Sequence, residues 1–294
     1  MKAGVLGCVP LLMEILEICD TMCNQNLPKE SERTILVKVE PSIATEINSI
    51  TIEIIEVCLL AGKIMLQSGA ETYRVEDTMM RIASAFGMPN SHSYVTPTGI
   101  IFSSDGLSPA KLIRISERTT DLHKVSAVNS VSRQIGNQEL TPSEAHILLK
   151  NIESESVLYN VRMRIAAAAL ASGCFTIMFQ GGWHDFLPAI LCGGAGFAAV
   201  SLFQRLVQVR FFSEFIASFI IGLLSLFLVY VGAGKELDKI IIGSVMPLVP
   251  GLAITNAIRD LMAGHLVSGL SKGADAFLTA FAIGAGIAVV FTLI

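Results

Sequence analysis

Apolar runs long enough to cross a bilayer crowd the carboxy-terminal part of this chain, and they constrain its fold more than any other feature. They cover about residues 165–183, 186–203, 211–231, 240–256 and 276–294. A hydrocarbon core roughly 30 Å thick takes about 20 residues of helix, so each run reads as a membrane-spanning helix. The first and fourth reach that length only with flanking residues such as Gly181, Trp183 and Asn256. Hydrophobic residues make up 52% of the chain and charged ones 16%, below the quarter or so usual in soluble domains. Most charges precede Arg164. The fold class expected is therefore an α+β cytosolic domain, residues 46–160, followed by an all-α polytopic membrane bundle of about five helices, residues 161–294.

Orientation follows from lysine and arginine in the short connections, which stay on the cytoplasmic side. Arg162 and Arg164 precede the first run, Arg205 and Arg210 separate the second from the third, and Arg259 and Lys272 separate the fourth from the fifth. Lys235 and Lys239 dissent mildly, beside Glu236 and Asp238. The balance places the polar domain in the cytoplasm and the carboxy terminus outside.

In the polar part, apolar residues recur at helical spacing from residue 47 to 67 and again from 72 to 86. Ser68 and Glu71 have the spacing of a capping box, with Gly69 as a tolerant turn. Two strand-like runs follow at residues 93–103 and 111–117, with Asp105-Gly106 as a turn signal between them. A further helix is expected over residues 121–134. Thr141-Pro142-Ser143-Glu144 opens another, with an N-cap, a proline at the first helical position and a glutamate three residues after the cap. Residues 1–45 are poorly defined. Their apolar stretch from Val5 to Ile18 is interrupted by Pro10, Glu14 and Glu17, which fits a short amphipathic helix better than a secretory signal.

A net charge of -4 with scattered basic residues gives no reason to expect nucleic acid as a partner. The six cysteines, Cys8, Cys19, Cys23, Cys58, Cys174 and Cys192, form no C-x-x-C pair and read as free thiols in a reducing compartment. The five histidines lie far apart, so neither a metal nor another cofactor is indicated.

The chemistry is concentrated in two places. The fourth run carries Pro247, Pro250 and Gly251, then Thr255, Asn256, Arg259 and Asp260. Two prolines and a glycine so close together break a helix at mid-membrane, and the freed carbonyls are tolerable only against protein or a watery cavity. Transporters bind polar substrates at such breaks. Other ionisable residues in or beside the runs are Asp185, Glu214 and Asp275, near the expected helix ends. In the polar part, Glu71, Thr72, Arg74, Glu76 and Asp77 form a dense cluster, followed by Thr96 and Thr98 on or near a strand. Asp77 and Arg81 have the spacing of a surface pair.

The run from Gly69 through Glu71, Thr72, Arg74 and Asp77 to Met79, the stretch Val95-Thr96-Pro97-Thr98-Gly99-Ile100, and the fourth-run motif from Pro247 to Asp260 resemble the signature of the threonine/serine exporter family. The resemblance covers about residue 47 to the end. It implies a subunit, not an enzyme, of a proton-driven exporter of small polar metabolites across the bacterial inner membrane, carrying threonine, serine or a dicarboxylate such as succinate. It further implies that the chain is the long subunit of a split form, partnered in the lipid bilayer by a short membrane subunit, with homo-oligomerisation a possibility. The fourth-run residues, with Asp185, Glu214 and Asp275, would then line the substrate and proton pathway, and the cytosolic motif, with Glu71, Arg74 and Asp77, would form a surface at its cytosolic mouth that receives substrate or docks against the bundle. A membrane-anchored hydrolase and a scaffold with a cytosolic ligand-binding domain are the alternatives.

Overall fold

The computed structural model describes residues 41–104, 108–155, 159–206 and 210–292. Residues 46–294 form one compact unit. The amino-terminal apolar stretch and the Asp105-Gly106 turn lie outside the described residues.

Helix α1 (Pro41–Gln67) is the axis of the polar part. Its periodicity predicts one buried face. Instead Ile55, Val57, Cys58, Leu59, Ala61, Ile64, Met65 and Leu66 are all buried, so the helix is covered on nearly every side from residue 54 onward. Burial pushes the Cys58 thiol up to about 12, which leaves it an inert core group. Helix α2 (Thr72–Ala85) packs Val75, Met79 and Ile82 into the same core. At Gly62 a Cβ would run into the Met79 side chain and lie 3.2 Å from Ile100. The missing side chain lets α2 and the sheet approach α1 together.

The expected strand over residues 93–103 is two strands. β1 (Ser91–Thr96) and β2 (Gly99–Ser104) pair antiparallel, with Thr96 opposite Gly99, and Pro97-Thr98 makes the two-residue turn. Pro97 has no N–H to give a ladder, so the run reverses there. The second expected strand is β3 (Ser108–Arg114), paired with β2 in the order β1-β2-β3. Ile115 extends the pairing by donating its N–H to the Thr98 carbonyl at 2.9 Å. Ile100 and Phe102 point into the core.

Helix α3 (Leu122–Gly136) begins at an Asp121 N-cap that accepts from the N–H groups of His123 and Lys124. Helix α4 (Pro142–Ser154) begins at the capping box of Thr141 and Glu144, as the sequence predicts. The hydrogen bonds from Thr141 hold the Glu144 carboxyl below the usual carboxylate range.

Beyond Asn160 the elements are helical: α5 (Val161–Met178), α6 (Trp183–Leu206), α7 (Arg210–Tyr230), α8 (Leu237–Val245), α9 (Gly251–Met262) and α10 (Leu266–Thr292). Four of these, α5, α6, α7 and α10, are long and apolar enough to cross a membrane, and α8 and α9 make a fifth crossing if taken together. Small residues let them pack closely, as lipid demands. At Gly243 of α8 a Cβ would lie 2.8 Å from the Thr176 nitrogen of α5, and at Gly269 of α10 one would lie 3.0 Å from the Ala257 carbonyl of α9. The last helix starts ten residues before the expected apolar run, at Leu266 instead of 276. Its polar first turns are accommodated because Ser268 and Lys272 have partners in the α+β part.

Candidate functional site

Helix α8 ends at Val245, a 3-10 turn covers Met246–Leu248, and α9 starts at Gly251, with Pro250 at its N-cap. The two helical pieces are bent by 62°. Pro247 and Pro250 supply no N–H, so the α-helical ladder cannot run through. Gly251 instead donates to the Val249 carbonyl at 2.8 Å and Val249 to Met246 at 3.2 Å. The break read from the sequence is therefore a redirection of the chain, and it aims the polar face of α9 at the α+β part.

Asp260 is completely buried. Its carboxylate accepts the Thr72 backbone N–H and the Thr72 hydroxyl, each at 2.9 Å, and the Lys272 ammonium at 2.7 Å. Lys272 also donates to Thr72 Oγ1 at 3.1 Å and to the Ala70 carbonyl at 3.3 Å. One turn earlier on α9, Asn256 donates to the Gly69 carbonyl at 2.8 Å. Arg259 donates to Glu71 Oε1 at 2.6 Å, and Arg74 holds Glu71 Oε2 at 3.2 Å.

The expected Ser68–Glu71 capping box is absent. Glu71 is the N-cap of α2, and its side chain makes no capping bond. The cap is provided from outside by Asp260, whose charge also meets the positive end of the helix dipole. Burial alone would raise the Glu71 carboxyl. Hydrogen bonds from its own backbone N–H and from Arg259, with the charges of both arginines, outweigh that and hold it below the usual carboxylate range.

A second layer lies beside this one. Glu76 accepts the Val95 N–H at 2.8 Å and stands 3.7 Å from His265 Nδ1, in the connection between α9 and α10. Ser268 donates to the Val95 carbonyl at 3.3 Å. Burial is the main influence on the Glu76 carboxyl, and the Asp260 charge adds to it; the Val95 N–H and His265 work against them, and the net shift is upward.

Not every expected residue joins this junction. Asp77 is exposed and pairs with Arg81 on its own helix, the surface pair that the spacing allows. Thr96 ends β1 and Thr98 lies in the hairpin turn, their hydroxyls 3.4 Å apart, with Thr96 donating to the Gly99 carbonyl. Thr255 bonds back to the Gly251 carbonyl at 2.9 Å. Glu214 is buried on α7, and Asp275 is half-buried on α10.

Asp185 is buried at the start of α6, where it accepts from the N–H groups of Lys235 and Glu236 at 2.6 and 3.2 Å. It fixes the connection ahead of α8. Successive antiparallel helices put that connection at the end of the bundle opposite residues 263–265.

Lys272, His265 and Ser268 are the residues that the sequence reading of the site passes over. The signal for Lys272 was present, since a lysine close to an apolar run needs a partner. For His265 and Ser268 no local signal exists.

These features define a class: a polytopic helical protein whose polar module is bolted to the second half of a broken helix. The family described as "Putative threonine/serine exporter" matches residues 56–294, and the chain belongs to this family of membrane transporters. A "Probable succinate transporter subunit YjjP" of Klebsiella aerogenes is 26% identical over 80% of this chain and 92% of its own length. The protein of the same name from Escherichia coli is 25% identical, over 80% of this chain and 93% of its own length. A "Threonine/serine exporter" of Corynebacterium glutamicum is 24% identical over 77% of this chain, but over only 48% of its own length. No solved structure matches.

Proposed function

We propose that this chain is the long subunit of an inner-membrane exporter of small hydrophilic metabolites that carry a carboxylate, and that its α+β domain controls the broken helix from the cytoplasm. The observation that carries this reading is the Asp260 junction. The half-helix α9 is tethered to the α+β part through Asn256, Arg259 and Asp260, and its amino-terminal end is freed by the break at Pro250. An anchor would have no use for a disrupted span, whereas a transporter uses one to expose backbone groups to a polar substrate.

Sidedness follows from the basic residues at the junction end, which include Arg162, Arg164, Arg259 and Lys272. In this reading the α+β part is cytoplasmic and the carboxy terminus is outside. An odd number of crossings would let a partner run inverted beside it and share a midplane site. The exporter from Corynebacterium has about as much sequence again beyond the region matched. The relatives from Klebsiella and Escherichia are named as transporter subunits, and a second, short membrane subunit would complete the assembly here. Proton coupling fits a pathway provided with buried carboxylates at Asp185, Glu214 and Asp260.

Efflux tests the proposal. Cells loaded with threonine, serine or succinate should lose one of them faster when this chain and a short membrane subunit are expressed together than with either alone. Unchanged efflux of every small polar metabolite tried, from cells with both proteins in the membrane, would overturn it.

A further inference from the structure

Four consecutive carbonyls in the turn after α1 are shared between two parts of the fold. The Gln67 carbonyl accepts the Thr119 N–H at 2.8 Å and the Ser68 carbonyl accepts the Asp121 N–H at 3.1 Å. The next two, Gly69 and Ala70, accept from Asn256 and Lys272 of the helical part. Gly69 has φ +87° and can occupy this tight turn without strain. Residues 67–70 therefore join the connection before α3 to α9 and α10.

A cavity of about 120 Å³ adjoins the first pair of bonds, lined by Gln67, Ser68, Glu117, Thr119, Lys124 and Glu153. At about 30 Å³ for a water in the liquid, it has room for roughly four waters or one small metabolite. Its charges are of both signs. Lys124 gives one N–H to the Glu153 carbonyl at 2.7 Å, and an ammonium has three to give. The Glu153 carboxylate is already shared by Lys63 at 2.7 Å and Lys150 at 3.0 Å. Glu117 enters no ion pair among the described residues. A ligand thus meets unspent ammonium donors, an unneutralised carboxylate and the hydroxyls of Ser68 and Thr119. A molecule with one ammonium and one carboxylate answers both charges. A dicarboxylate would bring its second charge against Glu117 or Glu153.

We propose that this cavity is an effector site for a free α-amino acid with a small polar side chain, and that its occupancy is transmitted through residues 67–70 to the broken helix. The ligand carboxylate takes the open donors of Lys124 and its ammonium takes Glu117. It thereby favours the arrangement in which Thr119 and Asp121 hold the turn, the same arrangement that presents Gly69 and Ala70 to Asn256 and Lys272. The regulatory consequence rests on the transport reading above; the binding does not.

Hydrogen exchange on the full chain in lipid nanodiscs tests it, with serine, threonine and succinate as probes. Serine or threonine should slow exchange across residues 117–124, and succinate at the same concentration should not. Lys124→Gln and Glu117→Gln should each weaken the amino-acid effect at least tenfold, while Lys124→Arg retains it. Glu117 is exposed, so its variant separates lost binding from lost folding. No slowing by either amino acid, equal slowing by succinate, or slowing unaltered in both glutamine variants would overturn the proposal. Exchange is read without transport, so a missing efflux activity would sink the exporter reading and leave this one standing.

Discussion

The carboxylate of Asp260 accepts both the backbone N–H and the hydroxyl of Thr72, 188 residues earlier in the chain. It caps a helix that its own neighbours leave uncapped, and Lys272 neutralises it in the same contact. Replacing Asp260 with alanine strands a buried lysine and removes the cap together. Losing one member of a buried pair costs about 3–5 kcal/mol. Asp260→Ala should therefore lower the thermal midpoint of the purified chain, and Asp260→Ala/Lys272→Met should recover much of the loss. Equal loss in single and double variants would show that the pair is not the source.

That junction marks the limit of what the sequence reveals. Local signals were readable: the Thr141–Glu144 box, the proline break at Pro247 and Pro250, and the Asp77–Arg81 pair each depend on residues a few positions apart. The capping partner of Thr72 was not. Ser68 has capping-box spacing to Glu71, but the contact that caps Thr72 spans 188 residues and leaves no periodic trace. The split of the first strand run at Pro97 was legible in principle, because proline cannot serve a continuous ladder. In the sequence the site motifs stand as two separate clusters; only the fold shows Glu71 meeting Arg259 and Asp77 turning away.

The Glu71–Arg259 contact should respond to charge exchange. Arg259→Glu opposes a carboxylate to a buried carboxylate, and a hydrogen bond to a charged group is worth about 1.5–3 kcal/mol. The double exchange Glu71→Arg/Arg259→Glu should restore part of that loss in a denaturation series. The depressed Glu71 pKa means that its stabilisation is present above the unfolded value and lost as pH falls through the lower folded value. The gap between wild type and Glu71→Gln should thus close only in the acid range, below the ordinary value of 4.5.

Glu76 should behave in the opposite sense. Its folded-state carboxyl is raised above 4.5, so ionisation opposes folding; the penalty is full above the folded pKa and fades as pH falls through it. Glu76→Gln keeps an oxygen for the Val95 N–H and removes the buried charge. Wild type should gain stability relative to Glu76→Gln as pH is lowered from neutral toward 4.5. A relative loss over that range would contradict the burial argument.

The break itself is tested at Pro250 and Gly251. Pro250→Leu/Gly251→Leu restores a backbone donor and removes a helix-destabilising glycine, which together favour a continuous helix by several kcal/mol. The double variant should insert into the membrane normally and lose export. Unchanged efflux in a well-expressed variant would reduce the motif to packing.

Efflux from proteoliposomes that contain this chain together with the proposed short membrane subunit tests whether transport depends on the α+β part holding α9. Wild type should move serine, threonine or succinate, and Asp260→Ala should fall to near background although it inserts and still binds the partner. Wild-type efflux from Asp260→Ala would show that transport does not need the α+β part to hold α9.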